Sequence, residues 1–155
     1  MPRTEPVNPP VRLFVERLDA DMPVDPVGVA DDGQMDIPAD AARAGWYRFG
    51  AAAGAATGTA VIAAHSGSHV TKRGPLRNLA ESEPGDTVVV ERAGGTALRY
   101  VVESAALVPK TRIDLTQYFR RGGDHRLVLI TCDGTWSQER RSYSDNAVVV
   151  ARLAS

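Results

Sequence analysis

The run Arg126-Leu127-Val128-Leu129-Ile130-Thr131-Cys132, followed at once by Asp133-Gly134, decides how this chain is read. It is apolar and β-prone along nearly its whole length, the pattern of a strand buried on both faces. The Asp-Gly pair that follows is turn chemistry. Cys132 is therefore expected at the strand's end, where a side chain can meet a substrate while a rigid backbone holds it. It is the only cysteine in the 155 residues, which excludes an internal disulfide framework and any multi-cysteine zinc site. A lone cysteine is also an ordinary small buried hydrophobe, so position alone leaves a structural and a chemical reading open.

Outward from this run the chain is a succession of short β-like segments split by Gly, Pro and Asp. They are Val11–Leu18, Met22–Val29, Thr59–His65, Thr87–Arg92, Leu98–Leu107 and Asn146–Leu153. Strands this short at turn-punctuated intervals predict a mainly β domain, a closed or nearly closed antiparallel barrel. Ala93-Gly94-Gly95-Thr96 reads as a hairpin turn, because glycine supplies positive φ without steric cost. Helical material is scarce: one or two turns each at Pro38–Gly45, Arg77–Glu83 and Asp114–Arg121. Residues 1–10, proline among polar residues, read as a flexible leader, and 11–155 as one domain.

Composition narrows the function by exclusion. A formal net charge of −1 lacks the cationic excess that nucleic acid or an anionic membrane surface demands. No stretch approaches the eighteen or so apolar residues of a membrane span, and the first residues lack the apolar core of a signal peptide. These leave either a cytosolic protein or one whose anchor is missing from this chain. Acidic residues show no calcium-ligand spacing, so calcium independence and no cofactor are expected.

His65 repeats the placement of Cys132 on another strand. Val61-Ile62-Ala63-Ala64 is apolar up to the histidine, then Ser66-Gly67-Ser68 breaks the run. By alternation His65 shares a face with Val61 and Ala63. A histidine so placed is commonly structural. Paired with a strand-end cysteine, it completes what a thiol acyl transferase needs, a nucleophile and a general acid/base. His69 in a polar loop and His125 in Gly123-Asp124-His125-Arg126 read as solvated. Arg140 and Arg141, ahead of the final Val-rich strand, offer a permanent charge and a fixed fork of donors for an oxyanion.

These residues together resemble the sortase family, over nearly the whole chain from Val11. The resemblance rests on Ala60-Val61-Ile62-Ala63-Ala64-His65, on Leu129-Ile130-Thr131-Cys132, and on Arg141-Ser142-Tyr143-Ser144-Asp145-Asn146-Ala147-Val148-Val149-Val150. The last is most similar to the actinobacterial class F or class E type; Gly45-Trp46-Tyr47, Pro84-Gly85-Asp86 and Pro23-Val24 also match. Many relatives carry glycine and aspartate where this chain has Ala64 and Gly67.

The resemblance implies a closed eight-stranded barrel with short helices. It also implies a cysteine transpeptidase at the cell surface, anchored through a segment absent from this chain. An LPxTG-like signal would be cut between Thr and Gly and its acyl group passed to an amine such as a peptidoglycan precursor or cross-bridge. Cys132 would be the nucleophile, His65 the acid/base, Arg141 the holder of the oxyanion or substrate backbone, and Thr131 a substrate-binding residue. A monomer without nucleic-acid partners is expected. Two rivals stay open: a non-enzymatic β-barrel binding module with a structural cysteine, and a cysteine peptidase that gives the acyl group to water.

Overall fold

The computed structural model describes residues 9–28, 35–67, 71–109, 123–137 and 142–154, with the backbone alone at 109, 132–137 and 142–144. Eight strands are present: β1 Pro10–Val15, β2 Ala20–Val27, β3 Ala44–Tyr47, β4 Thr59–Ala64, β5 Thr87–Arg92, β6 Ala97–Pro109, β7 Arg126–Ser137 and β8 Ser142–Leu153. They close into a barrel in the order β1-β2-β3-β4-β7-β8-β6-β5. Short 3-10 turns at Glu16–Leu18 and Leu79–Glu81 complete the regular structure described. The expected segment Asp114–Arg121 lies outside the described residues.

The barrel closes, but it is not purely antiparallel as the turn-punctuated pattern suggested. β2 pairs parallel with β3, and β4 parallel with β7. Parallel neighbours need a long crossover, and residues 65–125 separate the ends of β4 and β7. β3 is the strand the sequence hid. Ala-Gly-Trp-Tyr is only four residues long and half of it has poor β propensity, so Pro38–Gly45 read as helical. Instead, Asp40 accepts a bond from the Ala42 amide, and the Arg43 amide donates to the Asp40 carbonyl. That single turn delivers the chain into β3.

Alternation sorts the apolar residues into two clusters. Ala60, Ile62, Ala64, Leu127, Leu129, Ala147, Val149 and Ala151 point into the barrel, with Leu13, Met22, Val88, Val90 and Tyr100 from the far wall. Leu76 and Leu79, around the second 3-10 turn, add to the same interior. Val61, Ala63, Val128, Ile130 and Val148 form a second cluster, on the opposite face of the same strands. β4 is buried at all six positions, the two-sided burial expected for its type of run. The hairpin at Gly94-Gly95 is also as expected, with φ near +96° and +93°.

β4 and β7 start together at one end of the barrel. At that end β1 begins, at Pro10 opposite Arg92, and β8 finishes, at Leu153 opposite Tyr100. His125, expected in a solvated turn, is 9% exposed and bonded through both ring nitrogens. Nδ1 lies 2.8 Å from the Gly58 carbonyl, which only accepts, so Nδ1 carries the proton. Nε2 then accepts from the Tyr100 hydroxyl at 2.7 Å, while the Gly54 amide donates to both groups at 3.0 and 3.3 Å. The turn residues misled because they flank the histidine, not because they contain it. Thr57 bridges Asp124, and the Arg126 amide donates to the Gly58 carbonyl, stitching the starts of β4 and β7 together.

Burial holds the His125 pKa below its ordinary value of 6.5, with the nearby Arg126 charge acting in the same direction. The unfolded chain therefore takes up the proton first, and stability falls as pH drops below 6.5 toward the folded value. Thermal unfolding between about pH 7.5 and pH 5.5 should show this loss, and His125→Gln should flatten it. Tyr100→Phe, which leaves Nε2 without its hydroxyl donor, should cost about 1–3 kcal/mol at neutral pH in denaturant melts.

Candidate active site

The register of β4 against β7 runs from Thr59 opposite Arg126 to Ala64 opposite Thr131. His65 and Cys132 are the next residues on the two strands. Since neighbouring strands lie about 4.8 Å apart, the parallel ladder delivers both residues to one edge at matching height. Thr131 Oγ1 donates to the Ala64 carbonyl at 2.8 Å, closing the ladder at its last rung.

Cys132 reaches this edge by a different route from the one expected. β7 does not stop there: it continues to Ser137, paired with β8, after a bulge between Asp133 and Trp136. Asp133-Gly134 belong to that bulge rather than to a turn. What makes the Cys132 position a rim is that β4 ends at Ala64, so beyond Thr131 the pairing to β4 is finished. On its other side Cys132 stands opposite Asn146 of β8.

The second apolar cluster leads to this rim. The row Val61, Ala63 on β4 continues to the His65 position, and the row Val128, Ile130 on β7 continues to the Cys132 position. Met35, Ile37, Tyr47, Val108 and Val150 pack on the same cluster. The 35–38 segment reaches it by crossing over Gly45, where an added Cβ would meet Pro38 Cδ at 2.9 Å and Val27 at 3.0 Å. Only glycine passes there. Residues 35–37 were not singled out in the sequence, because they carry no periodic signal of their own.

His65 is partly exposed and leads into a tightly folded loop. The Gly74 amide donates to the Ser66 carbonyl at 2.8 Å. A Cβ at Gly74 would lie 2.8 Å from Ala41 Cβ and 2.9 Å from the His65 carbonyl. At Gly67 it would collide with the Lys72 carbonyl, which accounts for glycine where many relatives have aspartate. Thr71 Oγ1 donates to Asp40 at 2.6 Å and the Ala42 amide at 3.0 Å. Those bonds, the one from Thr71 first, hold the Asp40 carboxyl below the usual range. Arg43 is paired with Asp25 through two bonds of 2.7 and 2.8 Å.

Of the other expected residues, Thr131 is 1% exposed and its hydroxyl donates to the Ala64 carbonyl, which ties two strands together. His125 lies at the opposite end of β7. His69, Arg140 and Arg141 lie outside the described residues; β8 begins just after Arg141, at Ser142 opposite Ser137. Among the described residues no three His, Cys, Asp or Glu side chains gather as a metal site.

The chain matches the Sortase domain family over residues 13–154. No curated protein sequence matches it. Among solved structures, sortase C1 of GBS pilus island 1 is similar at 19% identity and TM-score 0.67, over 94% of this chain and 65% of that one. Sortase A from Corynebacterium diphtheriae is similar at 20% identity and TM-score 0.68, over 99% of this chain and 63% of that one. Sortase C-1 from Actinomyces oris is similar at 18% identity and TM-score 0.67, over 94% of this chain and 75% of that one. The chain thus spans a little under two thirds of the first two, and at these identities the likeness is one of fold.

Thr131→Val tests the ladder's last rung. The change, close in shape, removes the side-chain bond on the Ala64 carbonyl and should cost about 0.5–1.5 kcal/mol in denaturant melts. If Thr131 serves to hold the strands, peptide cleavage should lose kcat with KM little changed. A rise in KM alone would return it to substrate binding.

Proposed function

The chain belongs to the sortase family, and from that premise we propose that it is a cysteine transpeptidase acting on an LPxTG-like sorting signal. The observation that carries this is the register of β4 and β7, whose next residues are His65 and Cys132. Cysteine supplies the nucleophile and histidine the proton relay that acyl transfer from a peptide requires. The buried apolar cluster of Val61, Ala63, Val128 and Ile130, covered by Met35, Ile37, Tyr47, Val108 and Val150, gives this rim a rigid base. The structural-cysteine reading would leave the coincidence at one rim without a cause.

In this reading the Cys132 thiolate attacks the Thr carbonyl, and the electron pair moves onto oxygen. Collapse of that intermediate breaks the Thr–Gly bond while the His65 imidazolium gives its proton to the leaving amine. The thioacyl enzyme is then attacked by an incoming amine, which His65 deprotonates. No cofactor enters these steps.

Arg141 is proposed to hold the oxyanion or the substrate backbone. A bulge bends its strand and increases the local twist, and the one between Asp133 and Trp136 is where the β7–β8 hairpin could be turned back toward Cys132. The Arg141–Val150 segment supports a class F or class E assignment, and the family supports an extracytoplasmic cell-surface setting. No helix among the described residues is long and apolar enough to cross a membrane.

Mass spectrometry of the protein incubated with an LPxTG peptide should show an adduct of the peptide up to Thr. Cys132→Ala should abolish the adduct with the fold intact, and His65→Ala should abolish turnover. Adding a glycine-type amine should convert hydrolysis product to transfer product. An inert native thiol and no adduct would favour the binding-module reading.

For the arginines, Arg141→Ala should lose about a hundred- to a thousandfold in kcat. Arg141→Lys should lose only slightly less, since a point charge does not reproduce the fork. Arg140→Ala should remain near normal. The reverse order in steady-state kinetics would transfer the role to Arg140.

A further inference from the structure

The β7–β8 ladder puts Asn146 directly opposite Cys132, and the β6–β8 ladder puts Val108 on its other side. Asn146 stands in the row that continues through Val148 and Val150, residues of the outer apolar cluster. It is the point where that row turns polar, and it does so at the height of the nucleophile. Asn146 is half-buried, and among the described residues no partner holds its carboxamide. A carboxamide carries two N–H donors, and at this position, opposite Cys132, they can serve a group that binds there.

We infer that Asn146 is a catalytic residue, whose side-chain N–H donates to the carbonyl oxygen of the peptide bond that Cys132 attacks. This rests on the transpeptidase reading. Directly opposed residues have Cβ atoms about 4.5–5.5 Å apart. A carbonyl group bound at the Cys132 position is thus within the span of the opposed Asn146 position. As the S–C bond forms, the carbonyl π pair becomes a lone pair on that oxygen. As the C–N bond breaks, the pair returns and the carbonyl reforms. A neutral donor fixed to a strand opposes the growing charge without reorganising, which is the condition under which such donors act most strongly. Asp145, the next residue, pairs with Asp133 and Pro109 and falls on the other face of β8.

The test uses a fluorogenic LPxTG peptide with the native chain, Asn146→Ala, Asn146→Asp and Asp145→Ala, each checked for fold by circular dichroism. Expected are a loss of about a hundredfold in kcat for Asn146→Ala, with KM within about twofold. Asn146→Asp, similar in shape but with an acceptor in place of the donor, should be at least as slow at neutral pH. Asp145→Ala should be near normal. Alkylation of Cys132 by iodoacetamide, which forms no oxyanion, should proceed at the native rate in both Asn146 variants. Unchanged kcat in Asn146→Ala, a loss confined to KM, or an equal loss in alkylation would each overturn the inference. A native chain that forms no acyl-enzyme would overturn the parent reading, and this one with it.

Discussion

The parallel pairing of β4 with β7 is the constraint from which the rest follows. A slip of one residue would exchange the faces of one strand against the other, moving Ile62 or Leu129 out of the interior and Val61 or Val128 into it. Both faces of both strands are apolar and packed, so a slip is costly in either direction. That two-sided specification fixes the heights of His65 and Cys132 more firmly than any contact at the rim. The Thr131–Ala64 bond and the His125–Gly58 bond close the ladder at its two ends.

Much of this was legible because it rests on composition and alternation. The limits of β5 were read correctly from Val-rich patterning, and the Gly94-Gly95 turn from its glycines. Burial of β4 and β7 on both faces followed from their apolar runs. Strand direction was not legible, since period-two alternation is the same for parallel and antiparallel neighbours. β3 was lost because Ala44 and Gly45 have poor strand propensity, and Gly45 is glycine to let Pro38 cross over it. The end of β7 was misplaced because Asp-Gly serves a bulge as readily as a turn. His65 and Cys132 stood out because each follows an apolar run, and the register sets their positions on adjacent strands. Asn146 was quoted as part of a motif but given no role, since its place opposite Cys132 emerges only from the register.

The two barrel ends use polar groups differently. Around His125, both ring nitrogens, the Tyr100 hydroxyl and the Gly54 amide have partners, and burial favours the neutral ring. That end is built for permanence. At the rim, polar side chains of the supporting loops are tied to one another, as Asp40 to Thr71 and Arg43 to Asp25. The surrounding loops are fixed by glycines whose neighbours leave no space for a side chain. Rigidity there comes from close backbone approach, a form of support that leaves chemical groups available to a substrate.

The places where β1 begins and β8 finishes carry a consequence for how the domain can be held. Both lie at the end of the barrel where β4 and β7 start, away from the edge that presents His65 and Cys132. A linker joined directly to the start of β1 or the end of β8 would therefore pull from behind the rim. An immobilised domain would keep its mouth directed outward, toward whatever peptide arrives from solution.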